Sequence, residues 1–392
     1  MRNGRTSTTL ALAALLIAGC ASGGGGARPP GGPGQAQGPV ARLAITPADG
    51  TKKVAPDTGI SVKVTGGKVT KVTVADAKGR QVTGSTAADG TWRPRWPLRP
   101  ATSYTVSAQA MGTDGKAVTG QSSFTTLKPG RTLQSGMSPL DGEKVGVGMP
   151  VQLLLSQPVT SRQARAAVER SLVVKMSEPV EGAWSWVSDR EVQFRPRDYW
   201  PVGEQVKVVA HLAGLRAGQD LWGTKDRSLS FTVGPRHVTK VDADRHRAVV
   251  TADGKTVRTI PVSLGKPGDD SYSGTMIAQE KAAETVMDSA TIGKPGEYKI
   301  KTKWNVRMTY SGTFFHAAPW STGAQGNSNV SHGCVNASPA DARWFYDFTQ
   351  RGDVIQVKGT SRKLRFGNGP TPWAKSWEEW LAGGATGKPV TG

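Results

Sequence analysis

From residue 41 to residue 234, apolar and polar positions alternate in short runs such as Ile60-Ser-Val-Lys-Val64, Lys71-Val-Thr-Val74 and Tyr104-Thr-Val-Ser107, with Gly, Asp and Pro between them. A period of two predicts strands with one face buried and one wet. The alternation breaks once, at residues 161–173, SRQARAAVERSLV, which predicts a helix. The pattern also repeats: TWRPRWPLRPATSYTVSA at 91–108 resembles VQFRPRDYWPVGEQVKVVA at 192–210, and SSFTTL at 122–127 resembles LSFTVG at 229–234. Two related antiparallel β-sandwiches in tandem follow, over residues 41–127 and 128–235. Trp92, Trp96, Trp184, Trp186 and Trp200 are read as packing aromatics of these sandwiches rather than as a carbohydrate-stacking surface.

Past Arg236 the pattern changes. Residues 247–258, RAVVTADGKTVR, read as two strands around an Asp253-Gly254 turn. Ser338-Pro339-Ala340-Asp341 carries a capping hydroxyl, proline at the first helical position and an early carboxylate. Trp344, Phe345 and Phe348 follow on this helix, Gly352 closes it, and residues 353–358 return to a strand. A third, β-rich domain with one short helix is expected over 236–360. The tail, 361–392, holds TPWAKSWEEWLAGG, whose tryptophans are expected to pack a short helix onto that third domain.

The N-terminus is neither strand nor core helix. Residues 1–19 combine basic Arg2 and Arg5 with an apolar stretch, and end in Ile17-Ala18-Gly19 before Cys20. This is the grammar of an export signal, too short to span a membrane. The IAGC tetrapeptide resembles a lipobox, which makes Cys20 the expected lipid anchor on the extracytoplasmic face of the cell membrane. Residues 20–40 are Gly/Pro-rich and read as a tether. Fifty Lys and Arg against thirty Asp and Glu give a formal charge of +20, which suits an anionic envelope. The basic residues are scattered and no recognition motif accompanies them, so nucleic acid is set aside as a partner.

Chemistry concentrates in SHGCVN, residues 331–336, which holds one of the two cysteines. With Cys20 lipidated, Cys334 has no partner within an exported chain, and its reactivity becomes the point of interest. A free thiol is ionised only to roughly a few per cent at neutral pH, so it needs a base. His316 and His332 are both candidates, and spacing alone does not choose between them. Gly333 permits a backbone conformation in which its N–H and that of Cys334 point at a developing oxyanion. A cysteine near a histidine is also what a small buried hydrophobe looks like, and a zinc site with Cys334 and two histidines lacks a fourth protein ligand in sight. No metal or organic cofactor is expected.

The run YSGTFFHAAPW at 310–320, GAQG at 323–326 and SHGCVNAS at 331–338 resembles the catalytic segment of L,D-transpeptidases with a YkuD-type domain. The whole layout resembles the mycobacterial-type lipoproteins of that family: two immunoglobulin-like sandwiches, a mainly β catalytic domain and a Trp-rich tail. The resemblance implies Cys334 as nucleophile, His316 as base and later acid, and His332 with Ser331 as pocket-shaping residues. It implies Tyr298, Ser311, Gly312, Asn336, Trp320 and Met287 as substrate contacts. Where some relatives carry serine after the base, this chain has Ala317, which leaves the group that orients His316 open, a backbone carbonyl being one candidate. The lid, residues 287–296, is short. The implied substrates are peptidoglycan stem peptides, the implied product a 3→3 cross-link, and carbapenems the implied inhibitors. An L,D-carboxypeptidase and a non-catalytic wall-binding lipoprotein are the alternatives.

Overall fold

The alternating region folds as two β-sandwiches of the same connectivity. The computed structural model describes residues 40–87 and 89–391; the expected export signal, Cys20 and the expected tether up to residue 39 lie outside them. In the first sandwich a sheet ordered Arg42–Thr46, Ser61–Thr65, Trp92–Pro94, Gly84–Thr86 packs on Gly67–Asp76, Ser103–Gly112 and Ala117–Thr125. In the second, Ser135–Ser138, Val151–Leu155, Glu191–Pro196 and Glu181–Trp186 take the same order, opposite Leu172–Met176, Gln205–Ala210 and Arg227–Val233. The sequence repeat is thus a repeat of topology. Trp92, Trp184, Trp186 and Trp200 are all at most 6% exposed, so they are core. Trp96 stacks on His211 at 4.1 Å, joining the first sandwich to the second. The helix spans Arg162–Arg170, capped by Ser161, whose hydroxyl accepts from the Ala164 N–H at 3.2 Å. It ends earlier than the pattern predicts because Leu172–Met176, LVVKM, is β-prone and joins a sheet.

The third domain has two sheets. One is ordered Lys255–Pro261, Arg247–Ala252, His237–Asp242, Val354–Lys358, Gly274–Ile277; the other Glu280–Asp288, Lys299–Arg307, Phe314–Ala317, Val335–Ala337. At the first hairpin Asp253 and Gly254 have φ of 49° and 82°, the pair of left-handed residues that a tight two-residue turn requires. The helix Pro339–Phe348 starts at Ser338, whose hydroxyl accepts from the Asp341 N–H at 3.1 Å. Its Phe345 stacks on Phe315 of the second sheet at 4.1 Å, and side chains from both sheets complete one core.

The second sandwich and the third domain share packing. Ile277 and Val354 are part of the sandwich's core. The Gly146 and Gly148 N–H groups donate to the carbonyls of Arg351 (2.7 Å) and Gly352 (2.9 Å), and Arg351 Nη1 donates to both Glu143 carboxylate oxygens at 2.8 Å. Gly146 is required here: a Cβ would lie 2.2 Å from the Asp353 nitrogen.

The tail corrects an expectation. Only its beginning stays on the third domain, where Leu364 N–H donates to the Ser273 carbonyl at 2.8 Å. From Trp373 onward it crosses to the second sandwich. Trp373 Nε1 donates to the Gly148 carbonyl (2.8 Å), and fully buried Trp380 donates through Nε1 to the Ala183 carbonyl (2.9 Å). Val390–Thr391 then adds a strand to the edge at Gly182 and Glu181. The organising residue is Arg195 of the sandwich, whose guanidinium lies 4.6, 5.3 and 5.2 Å from the ring centroids of Trp373, Trp377 and Trp380. Burial lowers its pKa to about 10, so it stays cationic at neutral pH and each ring face attracts it.

Candidate active site

Strand pairing puts His316 on the cysteine's side of the sheet. Phe314–Ala317 runs parallel to Val335–Ala337, with Phe315 opposite Val335 and His316 opposite Asn336. Cys334 directly precedes the second strand. Side chains alternate along a strand, so Cys334 and Asn336 share a face, and the register puts His316 on that face beside them. All three line one cavity of about 500 Å³. His316 and Asn336, distant in sequence, thereby sit one strand spacing apart.

The His316 ring is buried, 3% exposed, and its Nδ1 lies 2.9 Å from the Ala317 carbonyl. A carbonyl only accepts, so Nδ1 carries the hydrogen and Nε2 of the neutral ring is the free base. Where the sequence has no serine at 317, the backbone orients the imidazole. Burial pushes the His316 pKa down to about 4, against the opposing effect of that hydrogen bond. Burial likewise pushes the Cys334 thiol up to about 11, with the Phe314 N–H and the Arg307 cation acting the other way. The resting pair at neutral pH is therefore thiol and imidazole, both uncharged. Cys334 Sγ is 3.7 Å from the Gly312 carbonyl, which accepts from the thiol.

Two cavities meet at the sulfur. The first brings His316, His332, Ser331, Asn336, Trp320, Met287 and Tyr298 around Cys334 and is mostly apolar. Trp320 is 53% exposed at its rim, 6.0 Å from the His316 ring. The second, about 690 Å³, is polar and holds Ser311, Gly312 and Gly333 together with Tyr298, His332 and Cys334. Every site residue expected from the sequence and lying among the described residues is thus in one or both. Cys20 is outside them.

The lid rests on hydrogen bonds and ion pairs. Ser289 and Tyr298 bond through both backbone and side chain at 3.0 Å, closing the turn over Ser289–Ile292. Tyr298 lies 5.0 Å from the His332 ring. His332 Nε2 sits 3.2 Å from Lys266 Nζ and 3.4 Å from Glu297 Oε2, while Lys294 pairs with Asp269. Asp269, Glu297 and His332 have metal-ligand spacing, but two lysine ammoniums already neutralise their carboxylates. The Gly333 φ of 115° is open to glycine and strained for other residues. Its N–H donates to Ser331 Oγ at 3.1 Å, and that hydroxyl donates to the Cys334 carbonyl at 2.7 Å. In this conformation the Gly333 donor expected at an oxyanion is engaged in shaping the turn. Asn336 Nδ2 donates to Ser321 Oγ at 3.1 Å, and its backbone exchanges two bonds with Ser263.

Several residues here carry no local signal in the sequence. Arg307 is one basic residue among fifty, yet it alone supplies a cation among the causes acting on the thiol. Lys266 and Asp269 read as ordinary turn residues until the fold brings them to the lid, where Lys294 pairs with Asp269.

Comparison with known proteins points to one family. Residues 236–357 match the YkuD family model, described as the L,D-transpeptidase catalytic domain, and residues 51–216 match that of a bacterial Ig domain. The chain is 35% identical over 352 residues to L,D-transpeptidase 2 of Mycobacterium tuberculosis (strain CDC 1551 / Oshkosh), covering 88% of this chain and 85% of the relative. It is 36% identical over 361 residues to L,D-transpeptidase 5 of the H37Rv strain, covering 90% and 79%. Among solved structures, that of the LD transpeptidase LdtMt1 in complex with imipenem superimposes with a TM-score of 0.50 at 35% identity, covering 59% of this chain and 100% of that one.

Proposed function

The chain belongs to the L,D-transpeptidase family, and on that premise we propose that it forms 3→3 cross-links between peptidoglycan stem peptides through a thioester on Cys334. The observation that carries this reading is the shared cavity of His316, on one strand, and Cys334, directly before the strand parallel to it. In the first step the Cys334 thiol gives its proton to His316 Nε2 as sulfur bonds to the carbonyl of the third stem residue. The imidazolium then protonates the nitrogen of the terminal D-alanine, which leaves as the C–N bond breaks. In the second step the side-chain amine of another stem attacks the thioester, its proton passes to His316, and the thiolate leaves and regains that proton. With the Gly333 N–H engaged by Ser331, the Cys334 N–H is the first candidate to stabilise both tetrahedral oxyanions.

The charge state supports a concerted proton transfer. A preformed thiolate–imidazolium pair is disfavoured by burial on both sides, so sulfur becomes nucleophilic as substrate arrives and the proton moves. The imipenem complex of the LdtMt1 relative motivates the same expectation here: a carbapenem acylates Cys334. Anchoring through a lipid on Cys20 at the outer face of the membrane, with the sandwiches as spacers toward the wall, completes the proposal.

Incubation with disaccharide-tetrapeptides, read by mass spectrometry, tests it. Cross-linked dimer lacking one D-alanine is expected, together with a transient Cys334 adduct. Cys334→Ala should give neither. Tripeptide without dimer would mark a hydrolase instead, and product from Cys334→Ala would end the thiol mechanism.

A further inference from the structure

On its way from the third domain to the second sandwich, the tail passes the loop at residues 309–312 and puts one side chain against it. Ser311 N–H donates to Asn368 Oδ1 at 3.0 Å, Asn368 Nδ2 donates to Ser311 Oγ at 2.9 Å, and the Tyr310 N–H donates to the Asn368 carbonyl at 3.4 Å. A backbone N–H can only donate, so the amide oxygen must face Ser311 nitrogen, and the amide's orientation is fixed. The Ser311 hydroxyl, which accepts from Asn368, also shares a hydrogen bond with Thr309 Oγ1, 3.2 Å away, and Thr309 Oγ1 accepts from the Thr313 N–H at 2.9 Å. A continuous chain of bonds therefore links the tail to the loop.

The next residue along is Gly312, whose carbonyl accepts from the Cys334 thiol and whose φ of 92° is left-handed. Such a residue has few steric restraints of its own, so its placement depends on its neighbours. Asn368 is itself held: its N–H donates to the Arg365 carbonyl at 3.1 Å. At the following Gly369 a Cβ would come within 2.3 Å of Gln279 Nε2, so the turn is seated closely on the domain.

We propose that Asn368 is a positioning residue for acyl transfer, holding residues 310–312 so that the Gly312 carbonyl and the wall of the polar cavity stay in register with the Cys334 sulfur. It touches no reacting atom and acts through Ser311. The inference rests on the reading of Cys334 as the nucleophile, and it extends the site into a tail that no catalytic motif covers. A misplacement of an ångström in such a wall is enough to cost ~10–100-fold in rate.

The test uses the full chain as Asn368→Ala, which removes both side-chain bonds, and Asn368→Asp, whose two oxygens can accept from the Ser311 N–H and from the Ser311 hydroxyl acting as donor. Imipenem acylation of Cys334 is followed by mass spectrometry, and backbone exchange of residues 309–313 by deuterium labelling. Asn368→Ala is expected to acylate ~10-fold more slowly, with faster exchange confined to that loop, and Asn368→Asp to recover most of the rate. Acylation within twofold of the parent by Asn368→Ala, or unchanged exchange in the loop, overturns the proposal. Faster exchange across the whole third domain overturns it too, because Asn368 would then be merely structural. Absence of acylation in the parent chain counts against the nucleophile assignment itself, and the loop's exchange then decides separately whether Asn368 restrains it.

Discussion

Cys334 and His316 are both driven toward neutrality by burial, and this has a direct consequence for pH dependence. Only neutral His316 can take the thiol's proton, and its pKa is lowered to about 4. Acylation by imipenem should therefore hold a plateau through neutral pH and fall as pH drops through about 4. Stopped-flow measurement across the acid range checks this. A rate climbing tenfold per pH unit between 6 and 9 would instead mark free thiolate as the attacking species, since the thiol itself ionises only near about 11. His316→Gln should slow acylation by ~10²–10⁴ at neutral pH. At this scale the sequence was informative about identity and silent about pairing. SHGCVN and the upstream histidine are legible as chemistry, but the choice of His316 over His332 depends on a parallel register between two short strands. His332 is tied instead to Tyr298, Lys266 and Glu297.

Elements with local punctuation were readable; elements defined by distant partners were not. The helix Pro339–Phe348 begins where its serine, proline and aspartate predict, and the Asp253-Gly254 hairpin turns where its two left-handed residues must lie. Ser338 both accepts from the Asp341 N–H and donates to its carboxylate at 2.7 Å, while Arg258 holds the same carboxylate at 2.7 Å. Ser338→Ala should cost about 1 kcal/mol in chemical unfolding, and no loss of stability would show the cap to be redundant with Arg258. The tail's short helix was equally visible, since Ser376 and Glu379 form a complete capping box. Its docking place was not, because the cation that gathers its tryptophans, Arg195, sits about 180 positions earlier and looks like any other arginine in a strand.

For the whole molecule, the tail acts as a strap across two domains. It touches the third domain near Leu364 and Asn368, and the second sandwich from Trp373 to Thr391. Trp380 is its deepest anchor, fully buried beside Arg195. Trp380→Ala should destabilise by about 3–5 kcal/mol and make residues 372–391 the first site of limited proteolysis. If cleavage instead begins elsewhere while the tail stays protected, the strap is held by Arg195 and its other two rings. The modular order of sandwiches and third domain is legible from repeats and changes of pattern. The sharing of one hydrophobic core across a domain boundary is not, because Ile277 and Val354 look like ordinary strand residues until they meet the second sandwich.

That shared core limits how the molecule can be cut. Gly146 and Gly148 feed backbone hydrogen bonds into Arg351 and Gly352, and Ile277 and Val354 complete an interior that is not their own. The YkuD domain is therefore no portable cassette: excised alone at residue 236 it would present a greasy scar and orphaned amide acceptors to water, and its solubility would suffer before its chemistry could be assayed. The shortest engineerable unit starts ahead of the second sandwich, and grafts onto foreign scaffolds should carry that sandwich along.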